Sequence, residues 1–237
     1  CQVINATRDD FRHSVISISG EFTGRDRIDA GSEVQLINSI HARHRFGHVF
    51  ALAGRLRTLN PDLVISYGWG GTDGVLAARL SGIPRIIHTE DGFLPDEAQK
   101  QKIKRLLARR IVLRIPRLLV CPSHTLVNIA TRCWRLPTCN IRYLPNGVDL
   151  QRYAVPSAES RSAARRKWGC STEEIVIGTV GHLRSEKNHQ RLIQAFSSVA
   201  TKFPAKLMLV GDGVLRGSLP PQAEHLSLRA RVVLVGQ

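Results

Sequence analysis

Short β-branched apolar runs alternate along this chain with stretches whose apolar residues recur at helical spacing. The clearest case lies at 175–188. Ile175, Val176 and Ile177 lead to Gly178, the run stops at Gly181, and a polar loop then carries Arg184 and Lys187. Beyond the loop, Leu192, Ile193, Phe196, Val199 and Ala200 fall on one helical face, and a second apolar run at 207–210 ends in Gly211-Asp212-Gly213. This is a strand–loop–helix–strand unit with cations and helix N–H groups gathered at the carboxyl end of its first strand. Ligands of open parallel sheets sit at that end, and a helix N-terminus favours an anion. The pattern therefore points to a phosphate-bearing ligand.

Upstream, the same alternation predicts strands over 13–19 and 34–41 and a helix over 46–59 stopped by Asn60-Pro61. A buried strand over 62–66 and the loop 67–71 follow. Thr72 or Asp73 is expected to cap a helix that runs through Leu80 and is closed by Gly82, with the next strand over 83–88. A long helix over about 97–114, a strand over 118–121, a helix from the cap Ser123 to about Trp134 and a short strand over 141–144 complete this half. Such strand–helix alternation predicts a parallel α/β sheet. Turn chemistry at 145–149 and a polar stretch at 150–172 precede a second series that opens at Glu174 and ends with strand-like 231–235. The expected organisation is two α/β units, residues 1–147 and 148–237, hinged near 147. With Cys1 first and Gln237 closing the chain just after a strand, the sequence reads as a fragment cut through a fold at both ends.

Composition narrows the possibilities. The 237 residues, 43% apolar, suffice for one large domain or two small ones. No apolar run approaches the roughly 20 residues that span a bilayer, and the first residues do not read as a secretory signal. The formal net charge of +15 is shared by both halves and raises affinity for anionic membranes, nucleic acid and nucleotides alike. Aromatic residues at 5% are too sparse for a base-stacking platform, which argues against nucleic acid as the partner. The five cysteines form no Cys-x-x-Cys pair, so reduced, mostly buried thiols are expected, with neither a disulfide framework nor a zinc site.

Three motifs in order, Pro145-Asn146-Gly147-Val148-Asp149, then 178–188, then Leu209-Val210-Gly211-Asp212-Gly213 with Arg216, resemble the retaining GT-B glycosyltransferases of family 4, also called glycosyl transferase group 1. Residues 60–65 and His88-Thr89-Glu90-Asp91-Gly92-Phe93 are similar to that family's N-terminal domain. The resemblance covers most of the chain and implies two Rossmann-like domains. The first, 1–147, would lie on the acceptor side with its first strand missing. The second, 148–237, would be the opening part of the nucleotide-sugar domain, without the Glu-x7-Glu segment that grips the donor. It further implies transfer of a hexose-type sugar with retention to a glycan or lipid-linked acceptor, with no cofactor and no obligatory metal. The expected location is cytoplasmic, from the reduced thiols, and peripheral on an anionic inner membrane face, to which the basic charge would draw the protein. Where the family usually has Arg, this chain has His182.

The chemistry these residues would perform is charge stabilisation on a departing diphosphate, which cations and N–H groups supply without a metal. Arg184 and Lys187 are the candidates for it, and Gly181 would let the diphosphate approach the backbone. His182, Asn188, Gly211 and Asp212 complete the expected donor site. In the first half His88, Glu90 and Asp91 end a strand and are expected to face the ligand. A His and carboxylates there could orient and deprotonate an acceptor hydroxyl. Aligning on the strand selects His88; aligning on the Gly-Phe turn selects Asp91. Trp69 is expected to pack in the core, with stacking on a sugar as the alternative. The basic helix carrying Lys100, Lys102, Lys104, Arg105, Arg109, Arg110, Arg114 and Arg117 is expected to bury its apolar stripe and keep its cations wet. Competing functions are a non-catalytic nucleotide-binding fragment or pseudoenzyme and a Rossmann oxidoreductase, the latter disfavoured because no Gly-x-Gly-x-x-Gly opens a helix.

Overall fold

The computed structural model describes residues 1–18, 20–22, 24–38, 45–93, 97, 101–148, 150 and 153–236, with the backbone alone at 45 and 46. Two compact units divide the chain, Cys1–Gly147 and Val148–Gln237. The first contains α1 (Gln2–Ala6), β1 (His13–Ser17), β2 (Val34–Asn38), α2 (Arg45–Leu59), β3 (Val64–Tyr67), α3 (Thr72–Leu80) and β4 (Ile86–Thr89). It continues with α4 (Ile103–Val112), β5 (Leu118–Cys121), α5 (His124–Arg132) and β6 (Ile141–Tyr143). The second contains α6 (Ala158–Lys167), β7 (Ile175–Val180), α7 (His189–Ala200), β8 (Ala205–Val210), α8 (Leu219–His225) and β9 (Val232–Gly236).

Every strand pair among the described residues is parallel, as the strand–helix alternation predicts. β1 pairs with β2, a second sheet runs β3-β4-β5-β6, and the second unit has β7-β8-β9. In the first unit, Val49, Leu52, Ala53 and Leu56 of α2 pack with Val75 and Ala78 of α3, while Trp134 and Leu136 join Leu119 and Leu126 in a second cluster. In the second unit Ile193 and Phe196 of α7 meet Leu207 and Leu209 of β8 and Leu219 of α8. The face predicted for α7 is the face it buries.

Local chemistry accounts for the ends. Ser123 accepts a hydrogen bond from the Leu126 N–H at 3.2 Å, capping α5 as expected. Gly71 rather than Thr72 or Asp73 holds the N-cap of α3, and the Thr72 hydroxyl turns back to donate to the Trp69 carbonyl at 2.8 Å. α4 begins at Ile103, not near 97. The Glu97 carboxylate accepts the Lys102 N–H at 3.0 Å, just ahead of the first helical turn. β3 is not fully buried, because it ends its sheet's strand order and leaves Ile65 and Tyr67 exposed. Residues 19, 39–41, 98–100, 149, 151 and 152, included in expected elements or stretches, lie outside the described residues. Only Cys121 and Cys170 are buried; Cys1 and Cys139 are exposed, so the thiols are not mostly interior.

α1, α6 and α8 have no counterpart in the expected elements. α6 is exposed along nearly its whole length and carries no apolar periodicity; Ser157 caps it, and Arg165 ties its end to the carbonyls of Ser171 and Glu174. α8 has prolines in its first turn, where the missing N–H costs nothing.

The largest departure is the orientation of α4. Ile103 and Ile111 are each 70% exposed and Leu107 is 49% exposed, whereas Arg109 is fully buried. The expected arrangement, apolar stripe inward and cations wet, holds only in part. Leu106, Val112 and Ile115 pack inward, and Lys102, Lys104, Arg114 and Arg117 are exposed. Ile103, Leu107 and Ile111 turn outward and Arg109 is taken in, because the interior of the first unit supplies carboxylates and aromatic faces for a guanidinium.

Candidate functional site

The loop leaving β7 is shaped by its neighbour. The Gly181 N–H donates to the Val210 carbonyl and the Leu183 N–H to the Asp212 carbonyl, both at 2.9 Å, so two turns lie side by side at the carboxyl ends of β7 and β8. Gly211 and Gly213, at φ +140° and +157°, make this possible. A Cβ on Gly211 would run into the Gly181 carbonyl oxygen, and one on Gly213 would come within 2.6 Å of the Leu183 carbonyl oxygen. Gly211→Ala is therefore expected to destabilise the second unit by about 2 kcal/mol, through close packing and a disfavoured φ. Urea unfolding of the variant measures this, and an unchanged midpoint would contradict it.

After Leu183 the chain makes a 3-10 turn, Ser185–Lys187, and then Asn188 adopts the left-handed conformation (φ 54°, ψ 36°) before α7 begins. Asn tolerates that conformation better than most residues, and here it lets the tight turn and the helix join at an angle. No side chain caps α7, so its first N–H groups face the loop without a side-chain partner. Lys187 folds back over the loop: its Cε lies 4.0 Å from where a Cβ on Gly181 would sit. Gly181, Lys187, Gly211 and the start of α7 are thus gathered in one place. Arg184 and His182 are exposed on the same loop, the Arg184 N–H donating to the His182 carbonyl at 2.8 Å. Asp212 is engaged locally. It accepts the Gly213 N–H at 2.7 Å, and its other oxygen lies 3.4 Å from Nη1 of Arg216. His189, which the sequence reasoning passed over, opens α7 buried, and its Nδ1 has no hydrogen-bond partner among the described residues.

In the first unit the structure separates the two alignments of 88–93. Side chains alternate along β4 and its extension, so Ile86, His88 and Glu90 point inward and are buried, and Asp91, one residue on, is exposed. His88 is fully buried, with Nδ1 sharing a 2.8 Å hydrogen bond with the Ser66 hydroxyl and Nε2 3.5 Å from the Glu90 carboxylate. The expected ligand-facing placement of His88 and Glu90 is corrected on this point: both side chains are fully buried. Asp91 is exposed. Burial first, and the charge of Glu90 second, hold its carboxyl above the usual range despite the opposing pull of His88. Tyr67, at the carboxyl end of β3, is raised by burial and by the charge of Asp91, which puts these two groups in one neighbourhood.

Behind Asp91 lies an ion-pair network the sequence reasoning did not foresee. Arg109 is sealed between the aromatic rings of Trp69, Phe93 and Trp134, with its guanidinium carbon 4.8, 5.3 and 5.2 Å from their centroids. It donates to both oxygens of Glu97 at 3.2–3.3 Å, and its Nε lies 3.8 Å from Glu90. Trp69 has the expected packing role, and Arg105 also lies over its ring. Both Glu90 oxygens lack a hydrogen-bond partner among the described residues and are held by charge alone. Burial and that charge push the Cys121 thiol up to about 11. Among the described residues no three His, Cys, Asp or Glu side chains converge as a metal site.

Comparison with known families matches residues 5–152 to Glycosyltransferase Family 4 and residues 160–237 to Glycosyl transferases group 1. The chain belongs to this glycosyltransferase family. Its relatives include the "Putative glycosyltransferase EpsF" of Bacillus subtilis, 26% identical over 164 residues, covering 68% of this chain and 42% of that protein. Another is the Escherichia coli "UDP-Gal:alpha-D-GlcNAc-diphosphoundecaprenol alpha-1,3-galactosyltransferase", 26% identical over 176 residues, covering 70% and 44%. The chain thus spans less than half the length of these relatives. The fold is that of solved GT-B enzymes. Anabaena Alr3699/HepE, crystallised with UDP and glucose, superposes with a TM-score of 0.74 at 19% identity, over 95% of this chain and 69% of that one.

Proposed function

We propose that the protein is a retaining glycosyltransferase that moves a hexose-type sugar from a nucleotide-sugar donor to a glycan or lipid-linked acceptor in cell-envelope or exopolysaccharide assembly. It would work in the cytoplasm, peripheral to the inner face of the membrane, with no obligatory metal. The observation that carries this reading is the convergence of Lys187, Gly181, Gly211 and the uncapped start of α7 at the carboxyl ends of β7 and β8. The names of relatives support it: the E. coli protein is named for a UDP-galactose donor and a diphosphoundecaprenol-linked acceptor. The Anabaena structure, for its part, holds UDP and glucose.

As the bond from the anomeric carbon to the diphosphate breaks, negative charge grows on the leaving oxygen. The Lys187 ammonium, the Arg184 guanidinium and the first N–H groups of α7 stabilise that charge. Gly181 and Gly211 keep side chains out of the diphosphate's path, and Asn188 sets the angle at which α7 meets it. His182 and Asp212 flank the donor. Asp91, whose raised carboxyl is a stronger base than an ordinary aspartate, orients the acceptor hydroxyl and takes its proton. His88 acts from behind, through Glu90, and touches no substrate.

The test is a binding screen of UDP-, GDP- and ADP-sugars against the full-length protein. An assay for nucleoside diphosphate release with lipid-linked saccharide acceptors in EDTA follows. Release in EDTA, with the anomeric configuration kept in the product's NMR spectrum, is the expected result. Binding without release from any acceptor would leave only the non-catalytic nucleotide-binding alternative.

A further inference from the structure

We propose that the stacked rings of His124 and Tyr143 form a platform that holds a pyranose ring of the acceptor. The inference rests on the saccharide-acceptor reading above and names the side chains that would grip that sugar.

Both rings stand at the carboxyl edge of the four-stranded sheet of the first unit. β4, β5 and β6 run parallel, with Thr89 beside Val120 and Cys121 beside Tyr143, so the three strands end together. The Glu90 N–H donates to the Val120 carbonyl and the Leu144 N–H to the Cys121 carbonyl, both at 3.0 Å, which carries the pairing to the last residues of that edge. Tyr143 closes β6 on the same side as Ile141, which is buried in the cluster that α5 covers. The Ser123 cap starts α5 at this edge, and the first helical residue, His124, lays its ring on that of Tyr143. Their centroids are 4.0 Å apart and their planes 25° from parallel. Asp91 follows β4 at the same edge, and β5 and β6 lie about 5 and 10 Å from β4, one and two strand spacings.

The pair is held in place and left open. Tyr143 is 46% exposed although His124 covers one face of its ring, so the exposure belongs to the other face and the edge. His124 is exposed as well, and so is Leu144 beside them. Two rings set face to face at the surface bury little of the apolar area by which aromatic side chains stabilise a core. The Tyr143 hydroxyl and the ring nitrogens of His124 form no hydrogen bond with another described residue. The cluster is thus an apolar surface rimmed by hydrogen-bonding atoms. A pyranose has the matching form: a face of C–H bonds, whose slightly positive hydrogens suit the negative face of an aromatic ring, and hydroxyls around its edge. Ligands of open parallel sheets sit at this end of the strands. A nucleobase would stack on the same rings, but Asp91 is the group that meets the acceptor hydroxyl in the reading above, so the sugar held at its edge of the sheet is the acceptor's.

The experiment is saturation-transfer NMR on the full-length protein with methyl glycosides and disaccharides of galactose, glucose, mannose and N-acetylglucosamine, and with UMP as a second probe. Transfer to the C–H protons of one sugar face is the expected result. Tyr143→Ala should weaken saccharide binding by about fivefold or more, whereas Tyr143→Phe, which keeps the ring, should lose about twofold or less. His124→Ala frees the Tyr143 ring and should weaken binding about threefold, and His124→Phe restores the stack and most of the affinity. Both side chains lie on the surface, so a nearly unchanged thermal unfolding midpoint is expected and is measured in parallel. Nucleotide-sugar binding is titrated alongside: saccharide binding that depends on Tyr143 with no donor binding at all would count against the proposed function, not against this platform. Absence of saccharide transfer, binding that survives Tyr143→Ala, or equal losses in Tyr143→Ala and Tyr143→Phe overturns the proposal. So does transfer to the uracil of UMP that is lost in Tyr143→Ala while no saccharide binds, since a base would then be the occupant.

Discussion

Replacing Arg109 with methionine is expected to destabilise the first unit by about 3–5 kcal/mol, the usual cost of removing one partner from a buried ion pair. For a protein of this size that is a fall of about 6–20 °C in the unit's unfolding midpoint. The guanidinium serves Glu97, Glu90 and three aromatic faces together, and methionine supplies volume but no charge. The effect carries a pH signature. The Glu97 carboxyl lies below its ordinary value of 4.5: burial alone pushes it up, and hydrogen bonds from Arg109, Arg105 and the Lys102 amide outweigh that push. A carboxyl lowered on folding contributes stability that is complete above its unfolded pKa and is lost as pH falls through the folded one. The gap between parent and variant should therefore be widest above pH 4.5 and close below it as Glu97 protonates in both. Urea unfolding across about pH 3 to 7 tests this, and a gap of constant size would show that Arg109 acts by packing alone.

That network also marks where reading the sequence stops short. The β7–loop–α7–β8 unit was legible because each of its signals is local: β-branched residues, a stop at Gly181, helical spacing from Leu192 to Ala200, and Gly-Asp-Gly after β8. The Ser123 cap and β5 were legible for the same reason. α4 misled because its amphipathic pattern says that one side faces inward without saying which. That choice depended on Glu97, Trp69, Phe93 and Trp134, which lie far from Arg109 in sequence but surround it in space. His88 misled in a similar way. Ile-Ile-His-Thr-Glu shows no apolar–polar alternation, so the parity that buries residues 88 and 90 and frees Asp91 became visible only once Ser66 and Arg109 were in place opposite them. In the second unit the individual residues of the candidate site and the turns that carry them were legible. Less so was the close approach of Gly211 and Gly213 to the Gly181–Leu183 backbone, which makes the two turns a single surface.

That surface yields the prediction with the most direct bearing on function. Lys187→Ala is expected to weaken nucleotide-sugar binding by about 10- to 150-fold, the equivalent of one charge-assisted hydrogen bond of about 1.5–3 kcal/mol. Lys187 is exposed and its side chain rests over Gly181, so its removal takes away charge at the proposed diphosphate position without opening the core. The loss should follow the ligand's phosphate count: greatest for the nucleoside diphosphate and its sugar ester, smaller for the monophosphate and negligible for the nucleoside. Lys187→Arg keeps the charge and should recover part of the affinity, while added salt should weaken the parent more than the alanine variant. Calorimetric titration of the full-length protein with that ligand series measures all of these. Equal losses across the series would place the effect in the shape of the loop, and no loss for the diphosphate would remove Lys187, and with it the convergence at Gly181, from the donor site.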